Sequence, residues 1–391
     1  MVRPVEQLTE KDLSHWKLID RFQEALAPVL KSGSLHPSFE DRDRTLSASS
    51  YLSLFLLGLF NPVVQSMRAL SAASSLKKVQ ETTGCRKVSL GSFSEAQHLL
   101  EPDLLKQVFE KLVEAAPTRP KNDPRLAHLQ LIAQDGSLWR ALPRMAWAQY
   151  GVGPTGAAKG VRMHLRFNIL KDCPSDVQVQ IGKSSETQAL RDMLVPGQTS
   201  VGDRLYGKDY KLFAEVQQAR AFFVFRLHEV SVVQEVDEEL PVSAADAAAG
   251  VVRHAWVYLG ATERLRSIRV RLVEVKKDGH HLLLVTNHPV ETVPAELVSL
   301  IYRRRWSIEL FFRWIKCILG CRHFLAESPR GVAIQLYLAL IASLLLQSFT
   351  GRRPNKRVLE LLQFYMMGWA SAEEVAAGVL KYATAKSAGG R

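Results

Sequence analysis

Tyr302-Arg303-Arg304-Arg305-Trp306-Ser307-Ile308-Glu309-Leu310-Phe311-Phe312-Arg313-Trp314-Ile315-Lys316 is the stretch from which the rest of the chain can be read. It holds no Gly or Pro, and its apolar residues recur at helical spacing, which predicts one helix. At about 100° per residue, Tyr302, Arg305, Glu309 and Lys316 fall within a face roughly 60° wide. One face thus carries a phenol, a guanidinium, a carboxylate and an ammonium, with Ile308, Phe311, Phe312 and Ile315 beside it for packing. Such a row is also what an intrahelical ion-pair ladder on a solvated face looks like. The remainder of the chain has to decide between the two.

The chain has 391 residues, room for two or three domains, and its 47% hydrophobic content supports a sizeable core. Lys and Arg outnumber Asp and Glu by 51 to 39, for a net charge of +12. That balance points to a polyanionic partner without separating nucleic acid from an acidic membrane surface. Met1 leads into polar sequence rather than a signal peptide. The apolar run Leu336 to Leu346 is shorter than the roughly 20 residues a membrane span needs. A cytoplasmic, nucleoid-associated protein with no membrane partner is expected. Cys317, Cys321 and His323 raise a zinc site, but a second ligand pair at finger-like spacing is missing, and buried free thiols are the better reading.

Residues 1–125 read as helical: Asp12 to Ala27, Phe55 to Gln65, Ala69 to Val79, a cap at Ser92-Phe93-Ser94-Glu95, and Pro102 to Ala116. Arg68, Lys77, Lys78, Arg86 and Lys87 give this region a basic middle, suited to DNA contact or to a solvated face. Pro117 to Pro124 reads as a boundary. Strands then follow at Leu126 to Ala133, Val161 to Ile169 and Asp176 to Ile181. A helix is expected at Ser185 to Leu194, a strand at Thr199 to Gly202, a helix at Lys208 to Ala219 and a buried strand at Ala221 to Leu227. This order predicts an α/β fold of ribonuclease H-like type: a mixed sheet flanked by helices, behind an N-terminal helical domain. Residues 229–289 read as a β-rich insertion before the carboxylate helix, with strands at Ala255 to Gly260, Ser267 to Lys276 and His281 to Asn287 and a turn at Asp278-Gly279. The core is expected over 126–228 and 290–350. A helical segment at 351–391 is a candidate for dimerisation and ends in a frayed Gly- and Ser-containing tail.

In such a fold the first strand ends at Asp135 and the fourth delivers Asp203, so that both converge with Glu309. Alone, Asp135-Gly136-Ser137 could be a turn, and Asp203 could cap the following loop. Together, three carboxylates can hold two divalent ions about 4 Å apart and stabilise charge on both oxygens and the phosphoryl group in phosphodiester transfer. Hard oxygen ligands suit magnesium, with manganese as substitute.

The spacing Tyr302, two residues, Arg305, three residues, Glu309, six residues, Lys316 resembles the signature of bacterial cut-and-paste DDE transposases, more narrowly the insertion-sequence family numbered four. Asp135-Gly136-Ser137, Lys159-Gly160-Val161-Arg162-Met163-His164 and Asp203-Arg204-Leu205-Tyr206-Gly207 are similar to further motifs of that family, so the resemblance spans about Leu131 to Lys316. There is one departure. The family often has a His-Asp pair after the third strand, where this chain has Ser184-Ser185-Glu186-Thr187. The resemblance implies metal-dependent cleavage at element ends, attack by the freed 3′-hydroxyl through a hairpin, and strand transfer into target DNA. It implies double-stranded DNA, both terminal inverted repeats and target, as partner and a homodimer in the synaptic complex. Asp135, Asp203 and Glu309 would be catalytic and hold two magnesium ions, while Tyr302, Arg305 and Lys316 would bind phosphates. Arg204, Arg162 and His164 are further candidates for DNA contact, although an outward-facing strand histidine fits His164 too. Trp256 could stack on an extruded base or belong to the core. The rivals are a catalytically silent, transposase-derived DNA-binding protein and a non-mobile, structure-selective endonuclease.

Overall fold

The computed structural model describes residues 17–384 except 34, 40, 42–43, 65, 118–122, 154–155, 229, 232, 261–267 and 278. Asp12, Asp278 and the tail from 385 onward therefore lie outside the described residues. The chain forms two compact units, one of residues 1–116, 139–160 and 313–391, the other of 117–138 and 161–312.

The first unit is mainly helical. It opens with α1 (Lys17–Ser32), α2 (Ala48–Phe60), α3 (Met67–Ala73), α4 (Lys77–Thr83), α5 (Leu90–Leu99) and α6 (Asp103–Ala115). The pattern from Ala69 to Val79 forms two helices rather than one. The Ser74 hydroxyl accepts the Val88 N–H and donates to the Ser71 carbonyl, so this residue closes α3 instead of continuing it. The cap of α5 is Ser89, whose hydroxyl accepts the Ser92 N–H at 3.1 Å, so the helix begins earlier than Ser92-Phe93-Ser94-Glu95 suggests.

Numbering on through the chain, β1 is Gln130–Arg140, β2 Gln149–Gly153, β3 Gly156–Asn168 and β4 Cys173–Ile181; α7 is Glu186–Asp192, β5 Gln198–Gly202, α8 Arg204–Gly207, α9 Tyr210–Gln218 and β6 Phe222–Arg226. Then come β7 (Val233–Glu239), α10 (Ala244–Ala248), β8 (Val251–Leu259), β9 (Val270–Lys277), β10 (His280–Thr286), α11 (Ala295–Arg304), α12 (Trp306–Arg313), α13 (Pro329–Thr350), α14 (Lys356–Met366) and α15 (Ala372–Thr384).

Helix α13 runs through the helical unit against α2, α6 and α5. The helix is longer than the run Leu336 to Leu346 suggests: its 22 residues are long and apolar enough to cross a membrane, yet 89% of its most apolar window is buried within the protein. An apolar helix buried among other helices is the pattern of a core helix.

The second unit is built on a sheet whose strands run β4-β3-β1-β5-β6 and continue through β10-β9-β8-β7. Strands β1, β5 and β6 are parallel, while β3 and β4 pair antiparallel. This is the mixed ribonuclease H-like sheet. Its core packs Phe213, Phe223 and Phe225 in consecutive ring contacts of 4.9 and 5.0 Å. Strands of the 229–289 segment extend the same sheet, because β10 pairs antiparallel with β6 through Val285 and Phe225. Gly279 turns between β9 and β10 at φ +74°, where an L side chain is disfavoured.

Candidate active site

The site is built from the middle of β1, the end of β5 and two helix starts, all within the sheet-bearing unit; β1 runs on to Arg140, so Asp135 lies inside the strand rather than at its end as the sequence suggests. The parallel β1–β5 ladder pairs Ala133 with Val201. Two residues beyond that last pair stand Asp135, within β1, and Asp203, the first residue past β5, at the end of strands spaced about 4.8 Å apart where they pair. Past Asp203 the chain turns sharply into α8. The Asp203 carboxylate accepts the Leu205 N–H at 2.8 Å and starts that helix. The turn closes at Gly207, where a Cβ would lie 2.0 Å from the Arg226 carbonyl oxygen, so only glycine lets the loop lie on β6. Asp203-Arg204-Leu205-Tyr206-Gly207 therefore both presents a carboxylate and docks its own backbone. Arg204 is exposed.

Glu309 lies on α12. The segment Tyr302 to Lys316 is not one uniform helix. It tightens at Arg305, where the N–H reaches the Tyr302 carbonyl at 3.0 Å, and widens into a π-helical turn at Trp314–Ile318. The tightening keeps Tyr302, Arg305 and Glu309 together: Arg305 donates to the Glu309 carboxylate at 2.6 Å and its guanidinium lies 5.6 Å from the Tyr302 ring. The widened turn changes the angular advance per residue before Lys316 is reached. Lys316 belongs to the helical unit, where its ammonium stands 4.1 Å from the centre of the Trp139 ring.

Electrostatics tie these groups into one cluster. Burial, with the nearby charges of Glu186 and Asp203, pushes the Asp135 carboxyl up to about 7, against the pull of the Gly136 N–H and Arg305. Burial is also the first cause that raises Glu186, with Asp203 adding to it and Arg162 opposing. Tyr206 is fully buried against Phe225, and burial together with Glu186, Asp135 and Asp203 holds its phenol well above the usual range. Arg305 stays firmly protonated, because Tyr302, Glu309 and Asp135 outweigh its burial.

Glu186 and Tyr206 are the residues that sequence reasoning missed. Glu186 sits where the family motif departs, and only its pairing with Arg162 and its fit against Gly136 make it visible. The other candidates lie as follows. His164 is buried, with Nε2 at 2.7 Å from the Ser184 hydroxyl. Tyr302 is buried, and Trp256 is half-buried with Arg269 4.6 Å from its ring centre.

The donor set suits a hard divalent cation: carboxylate oxygens whose mutual repulsion a cation would relieve. Among the described residues no three His, Cys, Asp or Glu side chains are grouped closely enough to hold an ion as they stand. Glu309 is turned onto Arg305 and Glu186 onto Arg162. The chemistry of the residues fits divalent metal, and rotation of those two side chains is what the fit requires.

Away from this unit, a groove of about 510 Å³ lies between α3 and the start of α5 in the helical unit, lined by Arg68, Lys87, Ser71, Ser75 and Ser89 among others.

One carboxylate on the first strand and another just past its parallel neighbour, in a mixed sheet of this order, define the ribonuclease H-like class of phosphodiester-processing folds. The family model described as the transposase DDE domain matches residues 127–345, more than half of the chain. The chain belongs to the DDE transposase domain family. Among similar proteins, y4zB of Sinorhizobium fredii, named a transposase, is 30% identical over 212 residues, covering 54% of this chain. The match spans 58% of that relative's length. A Geobacillus stearothermophilus protein named a transposase for insertion sequence element IS5377 is 21% identical over 79% of this chain and 78% of its own. The piggyBac transposase, solved by cryo-EM as a synaptic complex with hairpin DNA, aligns over 98% of this chain and 84% of its own, with a TM-score of 0.45 and 9% identity. A likeness that loose carries no residue correspondences.

Proposed function

We propose that this chain is a cut-and-paste DNA transposase of the insertion-sequence-four family that cleaves element ends and joins them to target DNA. The observation that carries this reading is the β1–β5 register, which supports Asp135 and Asp203 as a facing pair in the same unit as Glu309. Asp135, Asp203 and Glu309 would hold two magnesium ions, or manganese in their place. Bound there, such ions stabilise the attacking and leaving oxygens and lower the pKa of a bound water.

The chain's own groups do the rest. Arg305, half-buried and held over Tyr302, is a rigid fork suited to a phosphate next to the scissile bond. With Glu309 as a metal ligand, Arg305, now bonded to it, would be free to take phosphate oxygens. Tyr302 orients Arg305 through its ring, and Lys316, Arg204 and Arg162 add positive charge for backbone contact. His164, two residues from Arg162 on β3, has its Nε2 at the Ser184 hydroxyl. Double-stranded DNA, both inverted-repeat end and target, is the substrate. A hairpin intermediate, a homodimer in the synaptic complex and a cytoplasmic, nucleoid-associated location belong to the same reading. Residues 1–125, with the Arg68–Lys87 groove, are proposed to recognise the element end. Residues 126–228 and 290–350 would form the catalytic core and 229–289 the inserted strands. Residues 351–391 would serve dimerisation.

The test is cleavage of labelled DNA carrying the sequence that flanks the reading frame, with magnesium or manganese, by wild type and Glu309→Gln. Metal-dependent cutting at the element end, lost in the variant while DNA binding persists, is the expected result. Equal cutting by both proteins removes Glu309 from the mechanism. Binding without cutting by either favours a silent DNA-binding descendant, and cutting selected by DNA structure rather than by the end sequence favours a non-mobile endonuclease.

A further inference from the structure

Glu186 is the first residue of α7, behind the N-cap Ser185, whose hydroxyl accepts the Gln188 N–H at 3.2 Å. Its carboxyl group lies against the Gly136 backbone so closely that a Cβ there would stand 2.9 Å from both the carboxyl carbon and Oε1. Glycine after Asp135 is thus what lets a second acidic group lie against the middle of β1, beside Asp135. The Glu186 side chain is 13% exposed and is paired with Nη1 of Arg162, whose Nε donates to the Gly182 carbonyl at 3.1 Å. That second bond fixes the guanidinium plane toward α7.

An ordinary structural ion pair needs none of this. It gains nothing from lying beside two more carboxylates, and burial makes their company costly. The charge count is unbalanced as well: Asp135, Asp203, Glu186 and Glu309 face Arg162 and Arg305, four against two. Two negative charges are left over when all are ionised, which is a site arranged for added cation rather than for a neutral network.

We infer that Glu186 is a fourth carboxylate of the metal-binding face, and that Arg162 holds it in place until a divalent cation displaces the guanidinium. This rests on the reading of Asp135, Asp203 and Glu309 as metal ligands. Once displaced, Arg162 turns from Glu186 to a DNA phosphate, so that metal loading and backbone contact are coupled. The Arg305–Glu309 pair has the same form, a guanidinium on a carboxylate at 2.6 Å.

The experiment is Mn²⁺ titration of the DNA-free, full-length chain, read by calorimetry and by electron paramagnetic resonance of free Mn²⁺, with four proteins: wild type, Glu186→Gln, Arg162→Gln and Asp135→Asn. Glu186→Gln is expected to weaken Mn²⁺ binding about tenfold or more. Arg162→Gln is expected to tighten it several-fold, because the competing cation is gone. A purely structural pair predicts that both variants weaken binding together, through the same loss of order, and that result overturns the proposal. Unchanged affinity in both, with Asp135→Asn impaired, also overturns it while leaving the three-carboxylate reading in place. Wild-type binding by Asp135→Asn, or no binding by wild type, removes that reading and this one with it. If Glu186→Gln does not fold, the sign of the Arg162→Gln change decides.

Discussion

Gly136 and Gly207 both follow an acidic residue of the site, and their roles separate cleanly. At Gly207 the atom that an added Cβ would meet is the Arg226 carbonyl oxygen, part of the backbone of β6 and unable to move aside. Gly207→Ala should therefore cost about 2–3 kcal/mol, the size of an overpacking penalty, read as a lower urea midpoint at unchanged slope. A midpoint equal to wild type would mean the loop is not docked on β6. At Gly136 the obstacle is the far end of a flexible side chain, the Glu186 carboxyl. Gly136→Ala should thus leave stability nearly unchanged and shift Mn²⁺ affinity instead, as Glu186 is pushed outward. A third residue breaks the usual rule on buried charge. Arg271 is fully buried on β9, with one nitrogen on the Val293 carbonyl and with Nε and Nη1 lacking any protein partner. Burial pushes it down to about 10, against the charges of Glu291 and Asp246. Because desolvating such a charge costs more than its contacts return, Arg271→Met should leave stability equal or raise it by about 1 kcal/mol in urea denaturation. A large loss would mean that the guanidinium is a needed part of the sheet.

Helices and strands show where sequence patterning works and where it stops. Strict alternation from Val161 to Ile169 predicts a strand, and β3 spans Gly156–Asn168, but both of its faces are buried from Met163 to Phe167: the apolar residues lie in the core, and His164 and Arg166 are covered on the other face. Asp203 stands just past β5 as the pattern suggests, whereas β1 runs five residues beyond Asp135, to Arg140, because Asp135-Gly136-Ser137 reads as a turn only in isolation. The helix of Glu309 was legible on its face but not in its irregularities. Nothing in Tyr302 to Lys316 announces a π-helical turn, which is anchored from afar by Trp314 donating to the Pro354 carbonyl at 2.6 Å. Glu186 was passed over because its meaning comes from Gly136 and Arg162, 50 and 24 residues away in the sequence. Nonlocal contacts of that kind leave no periodic trace. The strands of residues 229–289 are visible by their β-branched residues, while their attachment to β6 depends on a pairing partner that no single stretch specifies. On the helical side, the Arg68–Lys87 groove between α3 and α5 joins two cations that lie on separate elements. If it follows the DNA backbone, Arg68→Ala with Lys87→Ala should weaken binding alike for specific and random duplexes. The slope of log K against log salt should become shallower by about two. A change confined to the element end would instead assign this groove to base reading.

At the scale of the whole molecule the two units carry different acid sensitivities. His254 and His288 are buried in the sheet-bearing unit, with 2% and 1% of their surface exposed. Burial pushes His254 down to about 4, helped by Arg271 and opposed by Asp246 and by a hydrogen bond with Pro241. Burial also pushes His288 down to about 3, with Arg271 and His128 adding to it, while its Nε2 lies 2.9 Å from the Thr199 hydroxyl and its ring stacks on Phe222. Both are neutral when folded and take up protons with an ordinary value near 6.5 when unfolded. Through these two residues the unfolded chain binds more protons than the folded one below about pH 6.5, so their contribution to stability is full above that value and falls as the pH drops toward 4. His164, pushed down to about 4 chiefly by burial, acts the same way, while Asp135, pushed up to about 7, acts in the opposite direction. At pH 5 His254 and His288 each remove about 2 kcal/mol, and about 4 together is a large share of the 5–15 kcal/mol that usually holds a domain. The helical unit has a different core, built on α13 and free of such a pair among its described residues. Hydrogen exchange at pH 5 against pH 7.5, corrected for intrinsic rates, should show protection lost in β6, β8, β9 and β10 well before α13. His288→Phe, which keeps an aromatic ring against Phe222 and cannot protonate, should recover about 2 kcal/mol at pH 5, the share of that one histidine. Equal loss in both units at pH 5, or no recovery in the variant, would assign the acid sensitivity to groups other than these histidines.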